Sequence, residues 1–316
     1  IDVFKFNMIS FLLILLTALF FPGIISRTKS IASGRKGPSI LQPWKNIFVL
    51  LKKGSKFSDT TSIVFQITPV IYLTTIVCAM LLLPFEANRM LTGNISIIGF
   101  DGDFILFAYL LALGRFFFII AALDTGSSFE GMGANREALY CMLLEPAFFI
   151  IISSFALVSG NISMQSIFSC IEFANTYYYI IGIIIIYLFV QIAMIENSRL
   201  PVDDPKTHLE LTMIHEVMLL DSCGFDLALI QIGTYLKFAI FGTIISNIII
   251  PVNTPVLLQF AIFFATQILF AVVIGFLESF RARKKMVKNP QFILSLSSIA
   301  LVVFVLCLLL LNQMLK

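Results

Sequence analysis

Eight stretches of the chain read as nearly unbroken apolar residues, near 6–26, 62–83, 103–123, 137–158, 174–195, 227–250, 254–277 and 290–311. Each is long enough for an α-helix to cross a hydrocarbon core, which takes about 20 residues. Helices are expected because in lipid every backbone polar group must be satisfied within its own segment. Eight crossings put both termini on the same side.

The polar residues between the spans give the orientation. Connections 27–61, 124–136, 196–226 and 278–289 carry 8, 1, 2 and 5 Lys or Arg, against Lys5, Arg89 and Lys316 on the other side. That bias makes these four connections cytoplasmic and turns both ends outward. In the first, Trp44, Ile47, Phe48, Leu50 and Leu51 gather on one side of a helical wheel with Lys45, Lys52 and Lys53 at its edges. This pattern predicts an amphipathic helix in the membrane interface with snorkelling lysines. The plainer alternative is a basic loop.

The third inner connection is unusual in being acidic, which the orientation does not require. Glu196, Asp203, Asp204, Glu210, Glu216, Asp221 and Asp226 oppose only Arg199 and Lys206. Crowded carboxylates raise one another's pKa, so such a segment can hold or pass protons near neutral pH. A solvated acidic loop is the bland alternative. His208 and His215 are seven residues apart, but their spacing to Glu210 and Glu216 fits no standard zinc motif. No metal is expected here.

Three charges fall inside the spans: Arg115, Glu145 and Lys237. Counting residues puts all three roughly 12–16 Å below the inner surface. A lone charge at that depth is costly, so a functional role is the default, with an Arg115–Glu145 or Lys237–Glu145 pair as the expected geometry. A purely structural ion pair is the alternative.

Composition agrees with the pattern. At 59% hydrophobic and 12% charged over 316 residues, the chain has too much apolar surface for one water-soluble core. A soluble enzyme, a nucleic-acid-binding module and a disordered scaffold are excluded. Cys78, Cys141, Cys170, Cys223 and Cys307 form no metal spacing and read as idle thiols. The first apolar run is long enough to stay in the membrane, and the chain opens on Ile1 rather than Met, which points to an upstream start. The expected fold is an all-α polytopic membrane protein: a single membrane domain over 1–316, about eight transmembrane helices and one interfacial helix.

Several motifs then occur in order. They are Gly34-Arg-Lys-Gly-Pro with Gln42-Pro43, Arg115-Phe-Phe-Phe, Leu123-Asp-Thr-Gly-Ser-Ser-Phe-Glu-Gly-Met-Gly-Ala-Asn-Arg-Glu137, Glu145-Pro146, and Glu196-Asn-x-Arg-x-Pro-x-Asp203. Together they resemble the heel subunit of the respiratory complex I lineage. That family includes the quinone-binding membrane subunit of NADH–quinone oxidoreductase and the formate-hydrogenlyase-type subunit of membrane-bound nickel–iron hydrogenases. The short stretch Ser39-Ile-Leu41 and the Leu123-Asp-Thr-Gly-Ser run are more similar to the hydrogenase branch. Val202, where both branches usually have Phe, and the stretch Thr207–Asp221 depart from it.

The resemblance implies a non-catalytic scaffold in the cytoplasmic (inner) membrane, embedded in the lipid bilayer and bound to no nucleic acid. It would dock hydrogenase-like large and small subunits and an iron–sulfur subunit on its cytoplasmic face, and antiporter-like subunits in the membrane. No cofactor is expected in this chain; the nickel–iron centre and iron–sulfur clusters would belong to partners. The candidate proton relay is Arg115, Glu137, Glu145, Glu196, Asp203, Asp204, Glu210, Glu216 and Lys237, and the candidate docking residues are Arg35, Lys36, Gln42, Arg136 and Arg199. The alternatives are a quinone-binding subunit of NADH–quinone oxidoreductase, with the Trp44 helix and span 1 shaping the entrance, and a free-standing secondary transporter. No internal repeat of the transporter kind relates 1–158 to 159–316.

Overall fold

The computed structural model describes residues 2–58, 60–84, 99–169, 176–203, 213–250 and 255–314. Among them every regular element is helical: α1 (Asp2–Ala32), α2 (Gln42–Leu51), α3 (Ile63–Leu82), α4 (Asp103–Asp124), α5 (Ser128–Ser159), α6 (Met164–Ser169), α7 (Thr176–Glu196), α8 (Gly224–Ile249), α9 (Val256–Phe280) and α10 (Asn289–Met314). Eight of these, all but α2 and α6, are long and apolar enough to cross a membrane. Pro22, Pro69 and Pro146 stand inside helices, as membrane spans tolerate when neighbours satisfy the freed carbonyls.

α8 is the most deeply buried span. It packs against α1, α2, α3, α7 and α9, while α4 lies on α3 and α10 lies on α5. One apolar core runs through the bundle, with Phe21, Phe107, Phe189, Phe238 and Phe263 fully enclosed.

The connections after α1, α4, α7 and α9 meet at one end, here called inner. The Ser62 amide donates to Asp124 Oδ2 (2.7 Å), the Asp221 amide to Glu130 Oε1 (3.0 Å) and the Lys284 amide to the Pro201 carbonyl (3.0 Å). Gly224 supplies a tight join. Its φ of +57° suits glycine, and a Cβ there would run into the Gly54 carbonyl. The outer end is plain in sequence but, among the described residues, holds a buried acid: Asp103 caps the bundle there and accepts from the Met164 amide at 2.6 Å, tying α6 to α4.

Three boundaries differ from the sequence reading. α1 is longer than 6–26. The expected 124–136 connection shrinks to Thr125–Ser127, because α5 begins at Ser128 and carries Glu130, Arg136 and Glu137 as helical residues. Gly131 and Gly133 suggest a loop, yet Gly133 is where α5 meets the 213–219 turn: a Cβ would sit 2.9 Å from the Ile214 carbonyl. The interfacial helix starts at Gln42, with Pro43 in its first turn. It is split rather than one-sided: Ile47 is fully buried and Trp44 edges onto Tyr235 of α8, while Phe48 and Val49 are exposed.

Candidate functional site

The site grows out of the inner end of α7. That helix closes with paired backbone bonds, Ser198 N to the Ile195 carbonyl (3.0 Å) and Arg199 N to the Met194 carbonyl (2.8 Å), with Ser198 in the left-handed region at φ +50°. This is a Schellman ending, and it leaves Glu196 as the last helical residue. A helix C-terminus carries partial negative charge, and Lys237 of α8 answers it: Nζ lies 3.4 Å from the Glu196 carbonyl oxygen and 3.4 Å from its Oε2. Lys237 also lies over the Tyr72 ring of α3, 5.6 Å from its centre.

Arg115 of α4 completes the cluster. One guanidinium nitrogen donates to Glu196 Oε2, another to Cys141 Sγ, and Nε stands 3.6 Å from Glu137 Oε1 on α5. Two buried cations thus face two carboxylates, and five helices contribute. Such a set is held only if each member keeps its partners, since an unpaired buried charge costs several kcal/mol, about 3–5 when one partner is removed.

Neither expected pair with Glu145 forms. Glu145 is one turn beyond Cys141 on α5 and faces out of the bundle; the Cys141 thiol reaches its Oε1 at 3.8 Å. The sequence gives equal depth but not direction. Glu137 and Glu196, one or two turns nearer the inner end, face inward and take the cations instead.

Three hollows meet at Arg115. A groove of about 490 Å³ opens on the outside of α4 and α5, walled by Leu106, Leu110, Leu113, Phe116 and Ile119 and floored by Arg115, Cys141 and Glu145. Behind it a smaller space of about 40 Å³ touches Arg115, Cys141, Glu145 and Glu196. A crevice of about 10 Å³ continues inward past Glu137 to Asp203. Polar groups therefore line these neighbouring hollows from Asp203 near the inner end to the outward carboxylate of Glu145.

The described acids of the 196–226 connection occupy different settings. Asp203 is buried: Oδ2 accepts from the Ile214 and His215 amides (3.2 and 3.0 Å), and Oδ1 from Arg283 (2.8 Å). Asp226 is buried in the first turn of α8, Asp221 is exposed, and Glu216 is partly exposed just before the 3-10 turn Val217–Leu219. Asp204, Glu210 and His208 lie outside the described residues. Among the described residues no three His, Cys, Asp or Glu side chains group as metal ligands. Of the docking set, Arg35, Lys36 and Gln42 are exposed at the inner end, with Gln42 bonded to Asn46. Arg136 and Arg199 are engaged within the chain, by the Met213 carbonyl and by Glu278.

His215 packs 5.1 Å from the Phe118 ring. Burial, together with the positive charges of Lys237, Arg115 and Arg199, pushes its imidazole down to about 3, so it is neutral at pH 7. The unfolded chain takes up a proton below about pH 6.5 and the native chain does not. Stability is therefore full above that pH and falls as pH drops towards 3. Between pH 7 and 5 the loss should reach at most about 2 kcal/mol, and thermal unfolding of His215→Gln in detergent should show a flatter pH dependence than the parent chain.

Sequence reasoning missed two buried acids at the inner end, beside Asp103 at the outer one. Glu130 is fully buried on α5, and its seven-residue spacing from Glu137, one helical face, is the signal that finds it. Glu278, in the last turn of α9, pairs with Lys29 (3.4 Å) and Arg199 (3.2 Å). Its signal is a single acid at the end of a 20-residue apolar run.

A family model described as NADH dehydrogenase matches residues 5–309, nearly the whole chain. The chain belongs to that family, the complex I subunit 1-like one. Within the NADH dehydrogenase family it is similar to hydrogenase-4 component C of Escherichia coli K12, 29% identical over 241 residues, covering 76% of this chain and 73% of that protein. It is also similar to formate hydrogenlyase subunit 4 of the same organism, 27% identical over 273 residues, covering 86% and 84%. Among solved structures, a chain of the membrane-bound sulfane sulfur reductase, an archaeal respiratory membrane complex, superposes with a TM-score of 0.80. That match covers 97% of this chain and 100% of the other at 18% identity, a likeness of fold. This NADH dehydrogenase family member is a multi-pass membrane protein whose relatives are subunits of membrane-bound hydrogenase and respiratory complexes.

Proposed function

We propose that the chain is the membrane-anchoring subunit of a redox-driven ion pump of the hydrogenase or formate hydrogenlyase kind in the cytoplasmic membrane. Its inner face, with Arg35, Lys36 and Gln42, would dock an electron-transfer arm of hydrogenase-like and iron–sulfur subunits, which would hold the nickel–iron centre and clusters. Antiporter-like subunits would sit beside it in the membrane. The observation that carries the reading is the course of polar groups from Asp203 through Glu137, Arg115 and Glu196 to Glu145.

A redox event beneath the inner face shifts the field on Asp203 and Glu137. Because Arg115 cannot lose its proton, it acts by moving its positive charge between Glu137 and Glu196 rather than by carrying a proton. Glu196, shared with Lys237, responds, and Glu145 takes up or releases a proton on the outward side. The 40 Å³ space between them has room for about two or three waters, enough to connect Glu196 to Glu145. Glu145→Gln should leave assembly and redox turnover intact and abolish ion translocation in proteoliposomes of the whole complex. Undiminished translocation removes Glu145 from the path.

A second reading has one observation behind it. A pocket of about 510 Å³ opens between α1, α2 and α8, lined by Ser26, Gln42, Asn46, Gln231 and Tyr235 among others. That suits an entrance for a lipid-soluble quinone. Inhibition of the purified complex by quinone-site inhibitors supports it; indifference to them supports the hydrogenase reading.

A further inference from the structure

A second buried charge group stands at the inner end and has no part in the relay above. Glu278 of α9 is 3% exposed and lies between two cations: Lys29 of α1 at 3.4 Å from Oε2 and Arg199 at 3.2 Å from Oε1. The Arg199 guanidinium also lies over the Phe238 ring of α8, 5.2 Å from its centre. Arg199 is only three residues past Glu196, and its backbone caps the very helix whose last residue Glu196 is. Arg199 is also one of the positive charges acting on His215.

The surrounding chain is fastened for this arrangement. Arg281 donates to Gln191 of α7 at 3.0 Å, the Lys284 amide to the Pro201 carbonyl at 3.0 Å, and Asn289 to the Val202 carbonyl at 3.2 Å. Segment 278–289 thus fastens the 197–203 turn to α9 and α10. Without an anion on α9, the nearest carboxylate along the chain from Arg199 is Glu196.

We propose that Glu278 is a positioning residue that sequesters Arg199 from Glu196, so that Glu196 answers only to Arg115 and Lys237. The inference rests on the relay reading of Glu196. It adds that the relay works because a third cation beside it is held off by an acid on a different helix. Lys29 supplies a second positive charge to the same carboxylate.

The test uses the assembled complex in proteoliposomes, measuring redox turnover and ions moved per electron in parallel. Glu278→Gln keeps the side chain's shape and frees Arg199. Ions per electron should fall about fivefold or more, with redox turnover retained. The double variant Glu278→Gln with Arg199→Gln removes the competitor along with its keeper and should recover most of the lost coupling. A merely structural clamp gives the opposite result, a double variant at least as impaired as the single, and that overturns the proposal. So does a Glu278→Gln complex that pumps normally. Glu145→Gln is run alongside: if it uncouples and Glu278→Gln does not, this inference fails alone, and if neither uncouples the relay reading fails with it.

Discussion

Glu196→Gln should lower stability by about 3–5 kcal/mol and stop ion translocation. The carboxylate is shared by Arg115 and Lys237 and sits on the C-terminus of α7. A carboxamide keeps the shape but leaves Arg115 with Glu137 as its one carboxylate and Lys237 with a backbone carbonyl, both cations being buried in the bundle. Glu145→Gln touches none of these bonds and faces outward, so its stability should stay near the parent's. Thermal unfolding of the two variants in detergent, beside translocation measurements on the whole complex, separates a group that builds the site from one that only conducts. Equal stability losses in both would contradict the placement of Glu145 on the outer wall.

Gly133→Val is the second large effect. A Cβ there would meet the Ile214 carbonyl at 2.9 Å, Met218 Cγ at 3.1 Å and Val217 Cγ1 at 3.3 Å. Backbone cannot yield as a side-chain tip can, so the 213–219 turn must move, at a cost of about 1–3 kcal/mol or somewhat more. The same turn supplies the Ile214 and His215 amides to Asp203. The variant should therefore also lose the pH dependence of stability between pH 7 and 5 that His215 confers on the parent. A normal pH profile in a destabilised Gly133→Val would mean that turn and helix are less tightly joined than the contact distances imply.

The eight spans were legible because hydrophobic length alone specifies a membrane helix, and their central residues agree closely with α3, α4 and α7 to α10. The ends were less legible. The 128–136 stretch of α5 is polar and contains two glycines, so it reads as loop, but Gly133 is there to let a turn lie against the helix. The same limit applied to the site. Arg115, Glu137, Glu196 and Lys237 were found by depth and motif, and they are in contact. Their pairing was not found, because depth along a helix says nothing about which way a side chain points. Glu145 and Glu137 are eight residues apart on one helix, yet one faces the groove and the other the core. The acidic connection reads as one cluster in the sequence, but Asp203 is held by Arg283 and the Ile214 and His215 amides while Glu196 is held by Arg115 and Lys237. Glu278 escaped notice because a lone acid at a span's end looks like ordinary surface until Lys29 and Arg199 are seen around it.

The claim at the centre is that carboxyl groups inside this subunit change protonation when the docked partner changes redox state. Redox-difference infrared spectroscopy of the assembled complex reads that directly through the carboxylic C=O bands. The expected result is a redox-linked carboxylic band in the parent complex that is lost in Glu145→Gln and shifted in Glu196→Gln. Spectra identical in the parent and both variants, with normal redox turnover in all three, would contradict it.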